Sequence, residues 1–339
     1  MSSAIVGWDV GGAHLKAARI NDLGAVTAVT QVPCQLWRGL GELREAIDAA
    51  LAVVGQCNRH AVTMTGEMVD LFPDRKSGVI EIAAFLSEVF RDQEILFYCG
   101  DKKFVDIDGV AAQTLAIASA NWRASVEFVA SQVAHCVFVD IGSTTTDIVA
   151  IENSRPRFQG HDDYSRLICG ELVYSGVVRT PLMALCSGIE FRGATVPIIA
   201  EHFATTADIY RVLDELPENV DLQPSADGKE KTAFASARRI ARMVGRDIES
   251  AAFDVWRELA QSFRAQQVAK IAAAINALVA KGGALVGAGI GDFIVREIAE
   301  KNGRDYIAFS EIIPVDGASQ GEATHVAPAI AVALLAQQI

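Results

Sequence analysis

The stretch Ile5-Val6-Gly7-Trp8-Asp9-Val10-Gly11-Gly12 returns, about 130 residues later, as Val137-Phe138-Val139-Asp140-Ile141-Gly142-Ser143-Thr144. Each copy is an apolar run that stops at an Asp-x-Gly turn, the pattern of a buried strand ending in a tight bend. A further apolar strand follows each turn, His14 to Ile20 in the first copy and Thr146 to Glu152 in the second. One strand–turn–strand theme used twice is not tandem repetition of the solenoid kind. It predicts two α/β units built on the same plan.

The rest of the chain fits around these two units. After Ala25 to Val32, a third strand, the first half reads as helix (Leu40 to Val54), strand (Ala61 to Thr65), helix (Val79 to Phe90), strand (Ile95 to Tyr98) and helix (Gly109 to Ala120). Between Pro197 and Gly245 the texture turns helical and richer in charge, with a polar loop at Pro224 to Lys229. That segment reads as an insertion or a lid. Asp254 to Ala280 carries a long amphipathic pattern, and Ala284 to Val286 is a strand entering Gly287-Ala288-Gly289-Ile290-Gly291. The expected organisation is a first domain over 1–130, onto which a closing helix over 322–338 packs back. A second domain over 131–321 includes the insertion over 197–250. The border is expected near Ser125 to Ala134.

With 339 residues, the chain is long enough for two cores. Apolar residues at 51% and charged residues at 21% exclude a disordered chain. A net charge of −12 argues against nucleic acid or an anionic membrane as partner. An anionic substrate must therefore be held locally, by backbone N–H groups, a few cations or a metal. Cys34, Cys57, Cys99, Cys136, Cys169 and Cys186 are scattered without a Cys-x-x-Cys pair and read as thiols in a reducing cytosol, not as a zinc site. The N-terminal residues lack the basic and apolar regions of a leader, and no apolar run is long enough to span a bilayer. A cytoplasmic location is expected.

An Asp-x-Gly turn at a strand end has a specific chemical use. The glycine lets the backbone approach a ligand closely, and successive N–H groups make an anion-binding concavity. The carboxylate holds Mg²⁺ directly or through water. Hairpins use the same residues merely to turn, so the weight lies in the pairing of two copies. Ser143, Thr144, Thr145 and Thr146 add hydroxyls beside Asp140 and Asp147. Asp147 stands in an otherwise apolar strand, and a buried carboxylate needs a partner. Gly287 to Gly291 lacks the Gly-x-Gly-x-x-Gly spacing of a dinucleotide fold, and the chain has no Gly-x₄-Gly-Lys-Ser/Thr loop.

Asp9 to Lys16 and Asp140 to Asp147 resemble the two phosphate motifs of the acetate/sugar kinase–Hsp70–actin superfamily, and Gly287 to Gly291 resembles its adenosine-side turn. The resemblance implies two ribonuclease-H-like domains with a cleft between them. Further phrases narrow it: Thr63-Met64-Thr65-Gly66-Glu67, Gly170 to Thr180 and Glu201 to Asp208. With the two phosphate motifs they resemble the hydantoinase/oxoprolinase-related proteins of the tetrahydromethanopterin-linked one-carbon pathway. The resemblance implies an alkyl or aryl-methyl transferase of methanofuran-type cofactor synthesis. Such an enzyme joins an aminomethylfuran-methyl diphosphate to the phenol oxygen of a γ-glutamyl-tyramine or tyrosine acceptor and releases diphosphate. It implies Mg²⁺ as cofactor, no need for ATP, small-molecule partners, and leaves a homo-oligomer open.

On this reading Asp9 and Asp140 are the metal ligands. Gly11, Gly12, Gly142, Ser143, Thr144 and Thr145 form the diphosphate cradle, and Lys16 adds positive charge. Gly287, Gly289 and Gly291 complete the nucleotide-side turn. Asp147 is a base or a second-layer metal group, and Glu67, facing the same end of the sheet, is a further catalytic candidate expected to touch substrate. Arg179 and Glu171 are expected to pair with each other. His202 and Thr206 are expected on one helix face, and Arg238, Arg239, Arg242 and Arg246 to form a basic stripe. Two rivals are an ATP-using kinase or amide hydrolase and a non-catalytic nucleotide-gated scaffold.

Overall fold

The computed structural model describes residues 4–278, 283–316 and 320–339. Its first sheet holds β1 (Ile5–Val10), β2 (His14–Ile20), β3 (Val26–Pro33), β4 (Arg59–Met64), β5 (Glu94–Tyr98) and β6 (Phe104–Val105), in the order β3-β2-β1-β4-β5-β6. β1 and β2 are an antiparallel hairpin, whereas β1, β4 and β5 run parallel. Parallel strands are covered on both faces, which is why β1 is apolar but for Asp9 and buried at every residue.

The second sheet repeats the plan. It is built from β7 (His135–Ile141), β8 (Thr146–Glu152), β9 (Arg155–Arg157) and β10 (Leu172–Val173). After a separate two-stranded ribbon, β11 (Gly188–Phe191) with β12 (Ala194–Pro197), the chain returns for β13 (Ala284–Ala288) and β14 (Tyr306–Ala308). The order is β10-β8-β7-β13-β14, with β9 on β8. Again a hairpin, β7–β8, adjoins parallel neighbours.

Side-chain alternation decides what each strand offers the middle of the molecule. In β1, Val6, Trp8 and Val10 pack under the helices Leu40–Val54 and Arg75–Val89. Ile5 and Gly7, and with them Asp9, face the other way. Gly7 is needed there, because a Cβ would lie 1.9 Å from the carbonyl oxygen of Ala329 in the closing helix Ala327–Ala336. In β7, Val137, Val139 and Ile141 join the core under the helices Phe253–Leu278 and Asp292–Lys301. Cys136 and Phe138, and with them Asp140, face a core shared with Ile5, Ala18 and the closing helix. Both aspartates thus lie on the faces turned toward the junction of the two halves.

The stretch expected to hold the border is a largely buried helix, Asn121–Gln132, packed on the closing helix. Two elements are also shorter than the sequence suggests. Gly109 to Ala120 is not one helix but the single turns Ile107–Val110 and Thr114–Ile117, and Ser119 takes a left-handed φ of 51°. The closing segment is broken into Gln320–Ala323, a 3-10 turn and Ala327–Ala336, with Pro328 at the start of the last helix where its missing N–H costs nothing. The long helix is described as Phe253–Leu278, and the expected residues 279–280 lie outside the described residues. So do residues 1–3.

The insertion is built on the helices Thr206–Leu213 and Ala233–Met243, which pack with the N-terminal half of Phe253–Leu278. Leu182, Ile209, Ile240, Trp256 and Phe263 give it a core of its own. Arg239, expected on a solvated basic stripe, is fully buried and bonded to Asp208 at 2.8 Å and Asp227 at 3.0 Å. His202 precedes the helix instead of sharing a face with Thr206.

Candidate active site

Two turns meet in one cleft. The Gly11 N–H donates to the His14 carbonyl at 3.0 Å, and the Gly142 N–H donates to the Thr145 carbonyl at 2.9 Å, so the two hairpins are closed by the same bond. A cavity of about 310 Å³ lies against both, lined among others by Asp9, Gly11, Gly12, Lys16, Gly142, Ser143, Thr144, Thr145 and Asp147. Asp140 is buried behind this lining, and Glu67 beside it.

The second turn is held from behind. A Cβ on Gly176 would lie 2.4 Å from Ser143 C and Thr144 N, so only glycine lets this segment approach. The N–H groups of Val178 and Arg179 donate to the Ser143 carbonyl at 3.1 and 2.8 Å. The Gly176 carbonyl accepts from Gln267 Nε2 and Thr206 Oγ1, each at 2.8 Å. A buried polar network of this kind, fully satisfied, fixes a backbone in place.

The carboxylates are electrostatically distinct. Asp9 is 3% exposed; Lys16 Nζ lies 3.5 Å from Oδ2, and Oδ1 has no hydrogen-bond partner among the described residues. Burial raises its pKa against the pull of Lys16. Burial also pushes Asp140 up to about 7, opposed by Lys16 and reinforced by Asp147 and Asp9. Asp147 is raised by burial but held by Arg166, whose Nη1 is 2.9 Å away and whose guanidinium lies 3.8 Å over the Trp122 ring. Its pairing with Arg166 makes Asp147 a salt-bridged group at the cavity wall. His14 is buried at the rim and driven down to about 3 by desolvation, with Lys16 and Arg179 adding to the effect, so its ring is neutral.

Glu67 reaches the cavity through another residue. It is 1% exposed, and burial lifts its pKa to about 7. Ser119, which lines the cavity, donates its hydroxyl to Glu67 Oε1 at 2.8 Å, while Oε2 has no partner among the described residues. A non-glycine residue at positive φ is uncommon and persists where its surroundings impose it. Met68, Val69, Trp122, Leu172 and Tyr174 supply the apolar part of the wall.

Gly287, Gly289 and Gly291 do not line this cavity. A Cβ at each would strike Tyr306, Asp140 Oδ1 and Ile141 respectively, so the glycines let β13 and the turn after it press against β7 and β14. Glu171 and Arg179 do not pair. Glu171 accepts from the N–H groups of Gln159 and Gly160, and Arg179 lies 5.8 Å over the Trp37 ring. Ser119, Arg166, Trp122 and Gly176 escaped the sequence reading as site residues. The need of Asp147 for a partner was a signal, but nothing local says that Arg166 supplies it.

Among the described residues, no group of three or more His, Cys, Asp or Glu side chains is placed to hold a metal. Mg²⁺ needs less than that, since one or two carboxylates and substrate phosphates suffice. The unpartnered Oδ1 of Asp9, with Asp140 nearby, fits such a half-built site.

Residues 58–338 match the family described as Hydantoinase/oxoprolinase. The chain belongs to that family. A relative from Methanocaldococcus jannaschii is 30% identical over 250 residues, 74% of each chain. A second, from Methanococcus vannielii, is 36% identical over 129 residues, 38% of this chain and 58% of that one. Both are named (4-{4-[2-(gamma-L-glutamylamino)ethyl]phenoxymethyl}furan-2-yl)methanamine synthase. Such relatives make this family member an enzyme acting on small molecules. Among solved structures, a nucleotide-free acetone carboxylase aligns with a TM-score of 0.57 and 10% identity, over 97% of this chain and 70% of that one. A ROK family glucokinase from Streptomyces griseus, in complex with glucose and AMPPNP, aligns with a TM-score of 0.50 and 13% identity, over 99% and 100%. At such identities the likeness shows the fold alone, the two-domain architecture of the actin and sugar-kinase type. Among the described residues no helix is long and apolar enough to cross a membrane.

Proposed function

We propose that this enzyme is a transferase of methanofuran-type cofactor synthesis. It joins an aminomethylfuran-methyl diphosphate to the phenol oxygen of a γ-glutamyl-tyramine or tyrosine acceptor and releases diphosphate. The observation that carries the reading is the pairing of two identically closed turns on one cavity, in a chain similar over most of its length to a synthase named for a phenoxymethyl furan.

The furan ring stabilises positive charge on its methylene, so the carbon–oxygen bond to diphosphate breaks with its electron pair leaving on the diphosphate. The protein's task is to hold that leaving group and aim the phenol. The two turns offer N–H groups and the hydroxyls of Ser143, Thr144 and Thr145, and Lys16 adds a cation. Asp9 and Asp140 would hold Mg²⁺, which when bound neutralises the diphosphate. Met68, Val69, Trp122, Leu172 and Tyr174 exclude water around the two rings.

The phenol must lose its proton as its oxygen bonds the methylene. Ser119 and Glu67 form the route: the proton passes to Ser119 Oγ, and that hydroxyl's own proton passes to Glu67. A base with a pKa of about 7 suits transfer near neutral pH. Asp147, tied to Arg166, is the poorer base. ATP enters none of these steps.

The test is to incubate the protein with Mg²⁺, the furan-methyl diphosphate and γ-glutamyltyramine or its tyrosine analogue, and to look for the aryl ether by mass spectrometry. Ether formed without ATP supports the reading. No ether with any acceptor, alongside turnover of ATP, would replace it with a kinase or hydrolase activity.

A further inference from the structure

A second cavity, of about 420 Å³, opens next to the first and is walled in part by Trp37, Arg179, Pro181, His202, Gln223 and Pro224. Arg179 borders both cavities. Between them runs a short polar strap: Gln223 Nε2 donates to the Ala13 carbonyl at 2.7 Å, and Gln35 Nε2 donates to Gln223 Oε1 at 3.2 Å. The insertion is thereby tied to the first hairpin, and the second cavity has a fixed wall.

The acids of this cavity are already committed. Asp208 is bonded to Arg239, and Asp221 to Arg211 and to Lys231, the last at 3.3 Å. Arg179 is not: among the described residues it has no acid partner, and its guanidinium rests 5.8 Å over the Trp37 ring. A planar guanidinium steadied by an aromatic face presents its donors to one flat anion, which a carboxylate matches in a two-pronged fashion. The compound for which the similar synthases are named carries a γ-glutamyl group on the far side of its phenoxy ring from the ether.

The geometry points to the second cavity as the subsite for the carboxylate-bearing γ-glutamyl tail of the acceptor, with Arg179 as its anchor and Trp37 as the surface that orients Arg179. This rests on the transferase reading above, in which the phenol lies in the first cavity. Diphosphate is the other anion within the reach of a cation at the seam, and the experiment separates the two.

Steady-state kinetics should be compared for the wild type, Arg179→Gln and Arg179→Lys, with γ-glutamyltyramine and with tyramine as acceptors. The wild type is expected to favour γ-glutamyltyramine. Arg179→Gln is expected to raise the KM for that acceptor by roughly tenfold or more, the worth of one charge-assisted pair. It should change the donor KM and the reaction with tyramine far less. Arg179→Lys, which keeps the charge and loses the fork, should fall between. A donor KM that rises equally with both acceptors would overturn the proposal and make Arg179 a diphosphate clamp; so would undiminished preference for γ-glutamyltyramine in Arg179→Gln. If the wild type forms no ether at all, the transferase reading fails and calorimetric titration of the two free acceptors decides the subsite separately. Binding of γ-glutamyltyramine alone, lost in Arg179→Gln, supports it; equal binding of both, or binding indifferent to Arg179, overturns it.

Discussion

The hairpins β1–β2 and β7–β8 are the same backbone device with opposite electrostatics. In the first, Asp9 stands across the ladder from Lys16, and the two side chains form an ion pair. In the second, Asp140 stands across from Asp147, the position that matches Lys16. Two buried acids facing one another would repel, so a cation is needed from elsewhere in the fold. Arg166, itself 1% exposed and roofed by Trp122, supplies it. The comparison teaches that the first hairpin keeps a partly exposed cation at the cavity, available to a ligand, whereas the cation of the second is buried at the cavity wall, tied to Asp147 and stacked on Trp122. Ligand charge is therefore met mainly from the first hairpin, and the second contributes N–H groups, hydroxyls and a carboxyl whose pKa is pushed up to about 7.

The largest effect is expected from the first hairpin. Asp9→Asn should lower turnover by at least ~10²-fold, because it removes a charge aimed at the reacting group. It should leave the thermal midpoint close to wild type, since the carboxylate is buried at a cost and the amide is isosteric. An active, folded Asp9→Asn enzyme would break the comparison at its first member.

Arg166→Met tests the second. It strands Asp147 without its cation and should cost about 3–5 kcal/mol in denaturant unfolding, the usual toll of an uncompensated buried charge. The double variant that also replaces Asp147 with Asn should recover most of the loss. Lys16→Met, at the matching position of the first hairpin, should cost less stability, because its 3.5 Å pair with Asp9 is the longer of the two and Lys16 is the less buried cation. Equal destabilisation by the two would contradict the contrast drawn here.

Gly176→Ala sharpens the same contrast from behind the second turn. With backbone atoms 2.4 Å from the new Cβ, it should cost about 1–3 kcal/mol in denaturant unfolding and displace Ser143 and Thr144. The first turn is propped less tightly: the Leu36 N–H donates to the Gly12 carbonyl at 3.1 Å, and a Cβ on Gly66 would lie 3.3 Å from Gly11 C. The smallest effect concerns Glu67. Its pKa rises from an ordinary 4.5 to about 7 on folding, so the folded state holds the proton more tightly than the unfolded one. The stability it contributes is complete below about 4.5 and is lost as pH rises through about 7. Glu67→Gln should flatten that decline, seen as a smaller difference between urea midpoints measured on the two sides of this window.

What the sequence disclosed and what it hid follow from the range of the interactions. The two hairpins were legible because strand, aspartate and glycine lie within eight consecutive residues, and the two copies reinforce each other. Asp147 was legible as a buried acid in want of a partner. That partner, Arg166, comes from the helix Asp163–Cys169, and no local pattern selects it. Ser119 was hidden for a similar reason. Gly109 to Ala120 has helical composition, yet the chain breaks twice there to bring Ser119 to Glu67, 52 residues away in sequence. Arg239 looked solvated on a basic stripe, but Asp208 and Asp227 draw it into the core of the insertion. The Gly287 to Gly291 turn looked like a ligand loop, while in the fold its glycines serve close packing against β7 and β14.

The central claim is that the two hairpins together grip a diphosphate. It is tested most directly by calorimetric titration of inorganic diphosphate with Mg²⁺ into the wild type, Asp9→Asn and Asp140→Asn, with ATP and Mg²⁺ titrated in parallel. The account predicts saturable binding of diphosphate to the wild type that is lost in both variants, with no hydrolysis of ATP. Diphosphate binding that survives both substitutions, or ATP binding and turnover that depend on the two aspartates while diphosphate is ignored, would contradict it.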